Sequence, residues 1–510
     1  MDSLIDNGPP PACPANFNLA AYVLGKASKD PDAAALELLA EHGVTRYSHA
    51  QIAAMVRGCG TGLLALGLAP GARILMRLGN SVDFPVLFLG AIAAGFVPVP
   101  TSAQLTAPEV TRLCALIDPA LIVAGEGVAL PDDPRCPVLP AAALADMAQL
   151  PPCAFAVGAA DRLAYIIFTS GTSGHQQAVA HAHRAILARG MMMRGWYGLT
   201  GADRLLHAGA FNWTYTLGTG LMDPWTMGAT ALIPQAGTPA TALPGLLRDH
   251  RASIFAAAPG VYRQMLRADF PALPHLRHGL SAGEALPPVL REAWQARTGT
   301  DLHEAFGMSE VSTFISGSPA HPAPPGRSGF AQPGRRIAVL NGPYPAPLGT
   351  PGILAISRDD PGLFLGYFND PEATAAKFAG EWYLTGDTAQ MDADGAITYL
   401  GRADDMMNAG GYRVSPLEVE AAMAGVAGLT ECAAVEHEVT PGTRIVALVY
   451  CAEAPLPTAD LEAYASQSLA RYKQPRLWRH IAALPRNANG KINRTSLRQI
   501  IATASPSPKK

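Results

Sequence analysis

Six residues, Thr169-Ser170-Gly171-Thr172-Ser173-Gly174, follow directly on an apolar run, Leu163-Ala164-Tyr165-Ile166-Ile167-Phe168. That run has the length and the β-branched and aromatic content of a buried strand. The chain leaves the strand through four hydroxyls and two glycines, so it must turn there with donors to spare. Glycines let backbone amides face an anion and hydroxyls add donors without bulk, which makes a polyphosphate the natural guest. No Gly-Lys-Ser/Thr closes the loop, so it is not the Walker pattern, and taken alone it reads equally well as a linker. Ala182 to Arg189 reads as the helix that comes next.

The rest of the chain repeats a rhythm of short apolar strands and helix-like stretches. Arg73–Met76, Ala120–Ala124 and Ala252–Ala257 are strands of this kind, the last preceded by a helical stretch from Pro244 to His250 with proline at its start. Such alternation indicates α/β architecture with largely parallel sheets. From Pro319 to Pro347 the texture turns Pro/Gly-rich, with short strands such as Arg336–Leu340 that suggest a small β module. After Gly401-Arg402 a new unit begins, with helices from Pro416 to Ala424 and from Thr458 to Leu469 and strands at Cys432–Val435 and Ile445–Tyr450. Roughly 100 residues suffice for an independent α+β domain. The expected division is therefore 1–402 and 403–510, and the tail from Ser505 reads as disordered.

Composition removes several classes of function. A chain of 510 residues with 49% hydrophobic and 15% charged residues is globular and needs more than one core. Its net charge of -3 gives no polybasic footprint for nucleic acid or an anionic membrane. Seven scattered cysteines without a Cys-x-x-Cys pair argue against a disulfide framework or a zinc site and fit a reducing cytoplasm. No basic start with an apolar core marks a signal peptide. Phe84 to Pro98 is apolar but interrupted by Gly90 and Gly95, and is shorter than the roughly 20 residues of a membrane span. It reads as a buried helix running into a strand.

Four further segments follow the hydroxyl loop in order: Ala305-Phe306-Gly307-Met308-Ser309-Glu310, Tyr383-Leu384-Thr385-Gly386-Asp387, Gly401-Arg402-Ala403-Asp404-Asp405 and Pro485-Arg486-Asn487-Ala488-Asn489-Gly490-Lys491-Ile492. Gly366-Tyr367-Phe368-Asn369-Asp370-Pro371-Glu372 supports them. With the loop, they resemble the signature blocks of the adenylate-forming superfamily of acyl-CoA synthetases, carrier-protein adenylation domains and luciferases. Ser281-Ala282-Gly283-Glu284-Ala285-Leu286-Pro287, Trp294-Gln295-Ala296-Arg297 and Met227-Gly228-Ala229-Thr230 resemble its benzoate-CoA ligase branch. The resemblance implies a large N-terminal domain of two α/β sheet subdomains with a small β-barrel-like module, and a smaller, mobile α+β C-terminal domain.

Site residues follow from the same resemblance. Thr169, Ser170, Gly171, Thr172, Ser173 and Gly174 would hold the phosphates of ATP, with Thr169 counted among the catalytic groups. The nucleotide would also meet Ser281, Gly283, Glu284, Ala305, Phe306, Gly307, Met308 and Ser309. Glu310 matches the magnesium-ligating glutamate, and one protein carboxylate suffices for an ion that also takes phosphate oxygens. Asp387 and Arg402 match the pair that holds the ribose hydroxyls, an Asp being able to accept from both. Lys491 matches the catalytic lysine that bridges the attacking carboxylate and the α-phosphate. Asp404 matches the hinge, and Gly410 and Gly411 the neighbourhood of coenzyme A. Phe211, Asn212, Trp213 and Tyr215, with Ala282, Gly283 and Gly307, would form the acyl pocket. No Asp stands where an amino acid's ammonium would be paired.

The chain departs from the family pattern where the loop usually ends in Lys. Gln177 stands there, preceded by Gln176 and followed by Ala178, and Asn408 replaces a residue that is often basic. The expected function is an ATP- and Mg2+-dependent carboxylic acid:CoA ligase acting on an aromatic acid such as benzoate. A short or branched aliphatic acid, a carrier-protein-loading ligase and a nucleotide- or acyl-binding protein without catalysis are the alternatives. A homodimer is an assembly the resemblance allows.

Overall fold

The apolar runs become the strands of two parallel sheets. The computed structural model describes residues 1–510 other than 41–42, 171–175, 404, 410–411, 441–442, 487–489 and 505–510, and leaves out the side chains at 28, 170, 176, 408–409, 412–413, 440, 443 and 504. It divides into a larger unit, Ile5–Arg336 with Ser357–Tyr383, and a smaller one, Met1–Leu4, Ile337–Ile356 and Leu384–Lys510.

The larger unit holds a nine-stranded sheet whose central six strands run parallel in the order Asp301–Met308, His278–Ala282, Ile254–Ala257, Arg204–His207, Thr230–Pro234 and Ala34–Ala40. Antiparallel strands close its two ends, Gly43–Ser48 at one and Ser312–Ser316 with Phe330–Ala331 at the other. A second, four-stranded parallel sheet is built from Val97–Pro100, Arg73–Arg77, Leu121–Ala124 and Val138–Pro140. Strands buried on both faces need no polar alternation, which is why Ile254–Ala257, Val97–Pro100 and Leu121–Ala124 are apolar throughout.

The run from Phe84 resolves into the helix Asp83–Ala94, closed by Gly95 at φ +86°, and the strand Val97–Pro100. Phe84 to Ala93 are all buried, in one core with Leu36 and Ile233 of the large sheet and Ile74 and Val123 of the small one. A helix apolar on every side belongs in such a place. The helix His49–Ala65, started by a Ser48/Gln51 capping box, lies against it. Their approach is set by glycine: a Cβ at Gly90 would stand 2.9 Å from the Val56 carbonyl oxygen, and one at Gly60 3.2 Å from that of Gly90.

The hydroxyl loop is where the sequence expectation needs correcting. It does not lead from strand to helix. The strand Leu163–Ser170 pairs antiparallel with a second strand, Gln176–Ala182, and the helix begins only at Ala185 and runs to Met192. The reason is burial: Ala178, Val179 and Ala180 are all buried, and Ile166 and Ala178 join Leu75 and Val99 of the four-stranded sheet in one core. Residues 171–175 lie outside the described chain.

In the smaller unit, Ile337–Leu340 pairs antiparallel with Ile353–Ile356, and Asp387–Met391 with Ile397–Arg402. Its C-terminal part is a sheet of Glu431–Thr440, Thr443–Cys451 and Leu477–His480 with the helices Pro416–Met423, Thr458–Ser468 and Arg494–Ala504. The helices at Pro416 and Thr458 and the strands through Cys432–Val435 and Ile445–Tyr450 fall where the sequence placed them, whereas the strand Leu477–His480 and the helix Arg494–Ala504 were not anticipated. Among the described residues no helix is long and apolar enough to cross a membrane.

The glycine contact yields a stability prediction. Gly90→Ala gains up to about 1 kcal/mol of helix propensity. It also forces a methyl against main-chain oxygen, an overpacking that costs roughly 1–3 kcal/mol. A lowered melting temperature is expected. An unchanged or raised one in thermal denaturation would show that the two helices part at no cost.

Candidate active site

In the larger unit the candidate residues gather at the ends of adjacent strands. Register sets Thr169 opposite Gln177 and Ser170 opposite Gln176 across the hairpin. Thr169 and Gln177 are both half-buried. Gly171, Thr172, Ser173 and Gly174 fall outside the described residues, as does the Ser170 side chain. The hairpin's outer strand pairs in turn with Gly366–Tyr367, Val179 standing opposite Tyr367. From there the Tyr367 hydroxyl donates to Glu310 Oε1 at 2.8 Å.

Glu310 occupies the turn between Asp301–Met308 and Ser312–Ser316 and is buried, with its carbonyl accepting from the Phe364 amide at 2.8 Å. The turn ends at Ser312, a non-glycine residue at φ +75°. Arg189 Nη1 donates to Ser312 Oγ at 2.6 Å, and His181 Nε2 donates to the Ser309 carbonyl at 2.8 Å. With the Tyr367 contact, four hydrogen bonds thus hold one turn. Among the described residues no group of three or more His, Cys, Asp or Glu side chains is placed to hold a metal. A divalent ion at Glu310 would have to bring most of its own oxygen ligands.

The strand His278–Ala282 carries Ser281 and Ala282 to the same end, Ala282 beside Ala305 in register. Ser281 Oγ is buried without a hydrogen-bond partner among the described residues. Gly283 takes φ +98°, and a Cβ there would lie 2.8 Å from the Trp213 ring, so this position tolerates only glycine. Trp213 meets Tyr215 edge to face at 5.2 Å, and the Tyr215 hydroxyl donates to the Leu280 carbonyl at 3.1 Å. Phe211 is fully buried and stacks on Phe84, whereas Asn212 and Trp213 are half-buried. Glu284, Phe306, Gly307 and Met308 are likewise half-buried, and Ala305 is buried. Phe306 meets Phe314 edge to face at 5.5 Å.

One carboxyl here went unnoticed in the sequence. Glu304, beside Ala305, accepts from the Leu286 amide at 2.9 Å, and burial pushes it up to about 7. Tyr367, His181, Arg189 and Ser312 were missed in the same way, since nothing local marks a side chain whose partner is far along the chain.

In the smaller unit Asp387 and Arg402 face each other across an antiparallel pair, and Arg402 Nη1 stands 3.5 Å from Asp387 Oδ2. Tyr399, another unanticipated neighbour, donates to Asp387 Oδ1 at 3.2 Å. Burial raises the Asp387 carboxyl, while Arg402, Tyr399, Thr385 and Lys491 all pull it down. Lys491 is therefore near enough for its charge to be felt at Asp387, although its own position is exposed. The structure brings these three candidates together. Asp404, Gly410 and Gly411 lie outside the described residues.

Residues 25–368 match the family model of the AMP-binding enzymes and residues 418–491 that of the AMP-binding enzyme C-terminal domain. The chain is 33% identical over 481 residues to a benzoate–CoA ligase of Thauera aromatica, covering 89% of this chain and 90% of that protein. It is 29% identical over 491 residues to a 3-hydroxybenzoate–CoA ligase of Aromatoleum sp. (strain CIB), covering 90% and 92%. Among solved structures, a benzoate CoA ligase from Burkholderia xenovorans LB400 matches with a TM-score of 0.82 at 27% identity, over 94% of this chain and 100% of that one.

Glu304 makes stability depend on pH. Its carboxyl is raised on folding, so the folded state holds a proton that the unfolded chain releases above its ordinary pKa near 4.3. The stabilisation is present in full below that value and is lost as pH rises through about 7. Between pH 5 and 7 the unfolding free energy should fall by about 1.4 kcal/mol per pH unit from this group. Glu304→Gln keeps an acceptor for the Leu286 amide and should remove that slope in denaturant titrations; an identical slope in both proteins would refute the assignment.

Proposed function

Because the chain belongs to the AMP-binding enzyme family, we propose that it is an ATP-dependent carboxylic acid:CoA ligase, forming an acyl-adenylate and then a thioester on an aromatic acid. The observation that carries the reading is the Asp387 cluster. A buried carboxylate held by Arg402 and Tyr399 and felt by Lys491 suits a nucleotide's ribose next to the cation that acts on its α-phosphate. The aromatic acid is supported by the likeness, along nearly the whole chain, to a benzoate–CoA ligase.

The reaction asks for charge neutralisation at two places. In the first half-reaction a carboxylate oxygen bonds to the α-phosphorus while the bond to the leaving pyrophosphate breaks. Thr169, Ser170, Thr172 and Ser173 donate to the leaving phosphates, and Asp387 accepts from the ribose hydroxyls. Lys491 holds the attacking carboxylate and α-phosphate against each other's charge. A magnesium ion supplies further neutralisation on the phosphates when bound. Glu310 would hold it, and a lone buried carboxylate fits an ion that arrives with phosphate oxygens. In the second half-reaction the thiol of coenzyme A attacks the acyl carbon and AMP leaves. For this Lys491 must withdraw, and residues 403–510 turn about Asp404 to carry it away, with Gly410 and Gly411 beside the incoming thiol.

Two experiments test the reading. With ATP, magnesium and coenzyme A supplied, a panel of benzoates should give AMP release that depends on both acid and thiol, well above that with short or branched aliphatic acids. Release with no acid on the panel, or from aliphatic acids alone, would overturn the aromatic ligase. Lys491→Ala should lower adenylate formation by about 100-fold or more, the scale of losing a preorganised charge at the transition state. Thioester formation from supplied acyl-adenylate should persist, and equal loss of both half-reactions would refute the role given to Lys491.

A further inference from the structure

A small, partly open cavity of about 20 Å3 lies beside the Glu310 turn, and its polar walls are Tyr165, His181, Arg189, Thr214, Ser309 and Ser312. It has room for a single water-sized group. Its position relates it to the acid: Ser309 and Ser312 flank Glu310 in the turn, and Thr214 follows Trp213, the ring that covers Gly283.

The cavity is built to accept a hydrogen. His181 is buried and stacks on Tyr165 with ring centres 4.8 Å apart, so the imidazole cannot swing. A carbonyl can only accept, so the Nε2 facing Ser309 carries the proton. Burial pushes His181 down to about 4, and the neutral ring therefore keeps a lone pair on Nδ1. Nδ1 is buried and has no hydrogen-bond partner among the described residues. On another wall, Ser312 Oγ accepts from Arg189 Nη1 at 2.6 Å and donates to Met192 Sδ at 3.4 Å. A thioether is a weak acceptor, so the Ser312 hydroxyl is ready to donate to a better one. One fixed acceptor and one willing donor bounding so small a space suit a group that can donate and accept at once.

We propose that the acid is an aromatic acid bearing one hydroxyl or amino group, that this group enters the cavity, and that His181 Nδ1, by accepting its hydrogen, determines specificity. The inference rests on the aromatic ligase reading above. The substituent must be small and must carry a hydrogen. A methoxy group at the same ring position is too large for the space and leaves Nδ1 without a donor.

The test compares kcat/KM by AMP release for benzoate and for its 2-, 3- and 4-hydroxy, amino and methoxy derivatives. The wild type, His181→Phe and Ser312→Ala are each assayed, Phe being chosen to keep the stack on Tyr165. One hydroxy or amino isomer should exceed benzoate and its own methoxy analogue by about tenfold or more, since a buried polar site rejects analogues that leave it unpaired. His181→Phe should collapse that preference over benzoate toward unity, and Ser312→Ala should reduce it. Preference for benzoate over every hydroxy and amino isomer would overturn the proposal. So would an equal loss toward all acids in His181→Phe, the mark of a cavity that holds only a water supporting the turn. Should His181→Phe fail to fold, an unchanged preference in Ser312→Ala overturns it instead. If no aromatic acid releases AMP with the wild type, the ligase reading falls first and this inference with it, which tells the two failures apart.

Discussion

The arrangement around Glu310 depends on a buried ion pair. Arg189 Nε and Nη2 donate to the two oxygens of Asp223 at 2.7 Å each, with both side chains almost wholly out of solvent. Tyr197 donates to Asp223 at 2.9 Å, and Thr219 bonds with both Tyr197 and the guanidinium. Either charge alone at this depth would cost several kcal/mol, so neither partner is dispensable once the other is present. Pairing with Asp223 accordingly holds Arg189 above its usual range. The pair is flanked by two π-helical turns, Met193–Tyr197 and Gly218–Met222, which place Tyr197 and Thr219 beside it. Its remaining donor goes to Ser312, whose positive φ carries a strain of about 1–3 kcal/mol that only a surrounding network sustains. A charge pair with no direct part in the chemistry thus reaches the turn that presents the carboxylate.

A second line of force runs to the same turn from the hairpin of Leu163–Ser170 and Gln176–Ala182. The strand Gln176–Ala182 meets Gly366–Tyr367, and Tyr367 grips Glu310. Movement of the hairpin would therefore be felt at the carboxylate through a single phenol. The buried His181, also on that strand, grips the turn at Ser309. Two side chains of one hairpin assembly fix one loop, which is how a carboxylate on a turn acquires the rigidity of the sheet beneath it.

Most of the fold is legible in the sequence because its elements follow one period each. Ile254–Ala257 and Leu121–Ala124 are apolar throughout and can only be buried strands, and Phe84 to Ala93 is long enough to be a buried helix. The second strand of the hairpin defeats such a reading. Gln-Gln-Ala-Val-Ala-His-Ala is alanine-rich and helix-compatible, and pairing with Leu163–Ser170 overrides the propensity. The site divides along the same line. Glu310, Asp387 and Arg402 stand in short recognisable blocks, but Arg189 resembles any cation in the last turn of a helix, and its partner lies 34 residues away. Tyr367 is separated from Glu310 by 57 residues and His181 from Ser309 by 128. Only the folded sheet connects them.

On the proposed roles, Gln177 bears on nucleotide affinity apart from the choice of acid. Cross-strand partners in an antiparallel pair project to the same face, so residue 177 accompanies Thr169 wherever that hydroxyl points. An amide there adds a donor and an acceptor but no charge. If the phosphates lie on that face, the lost attraction is about 4 kcal/mol at 4 Å for an effective dielectric of 20, and about 1 kcal/mol in bulk water. The groups held to choose the acid stand elsewhere: Trp213 packed on Gly283, and the His181 and Ser312 cavity beside the turn. His181 shares a strand with Gln177 but is buried, whereas Gln177 is half-buried. With the phosphates on that face, a change at residue 177 would alter the field at them without moving the imidazole, whose ring is pinned by Tyr165 and Ser309. On the proposed roles, one strand therefore serves both ends of the reaction through positions that differ in burial: His181 is pinned against Tyr165 and Ser309, and Gln177 stands half-buried beside Thr169.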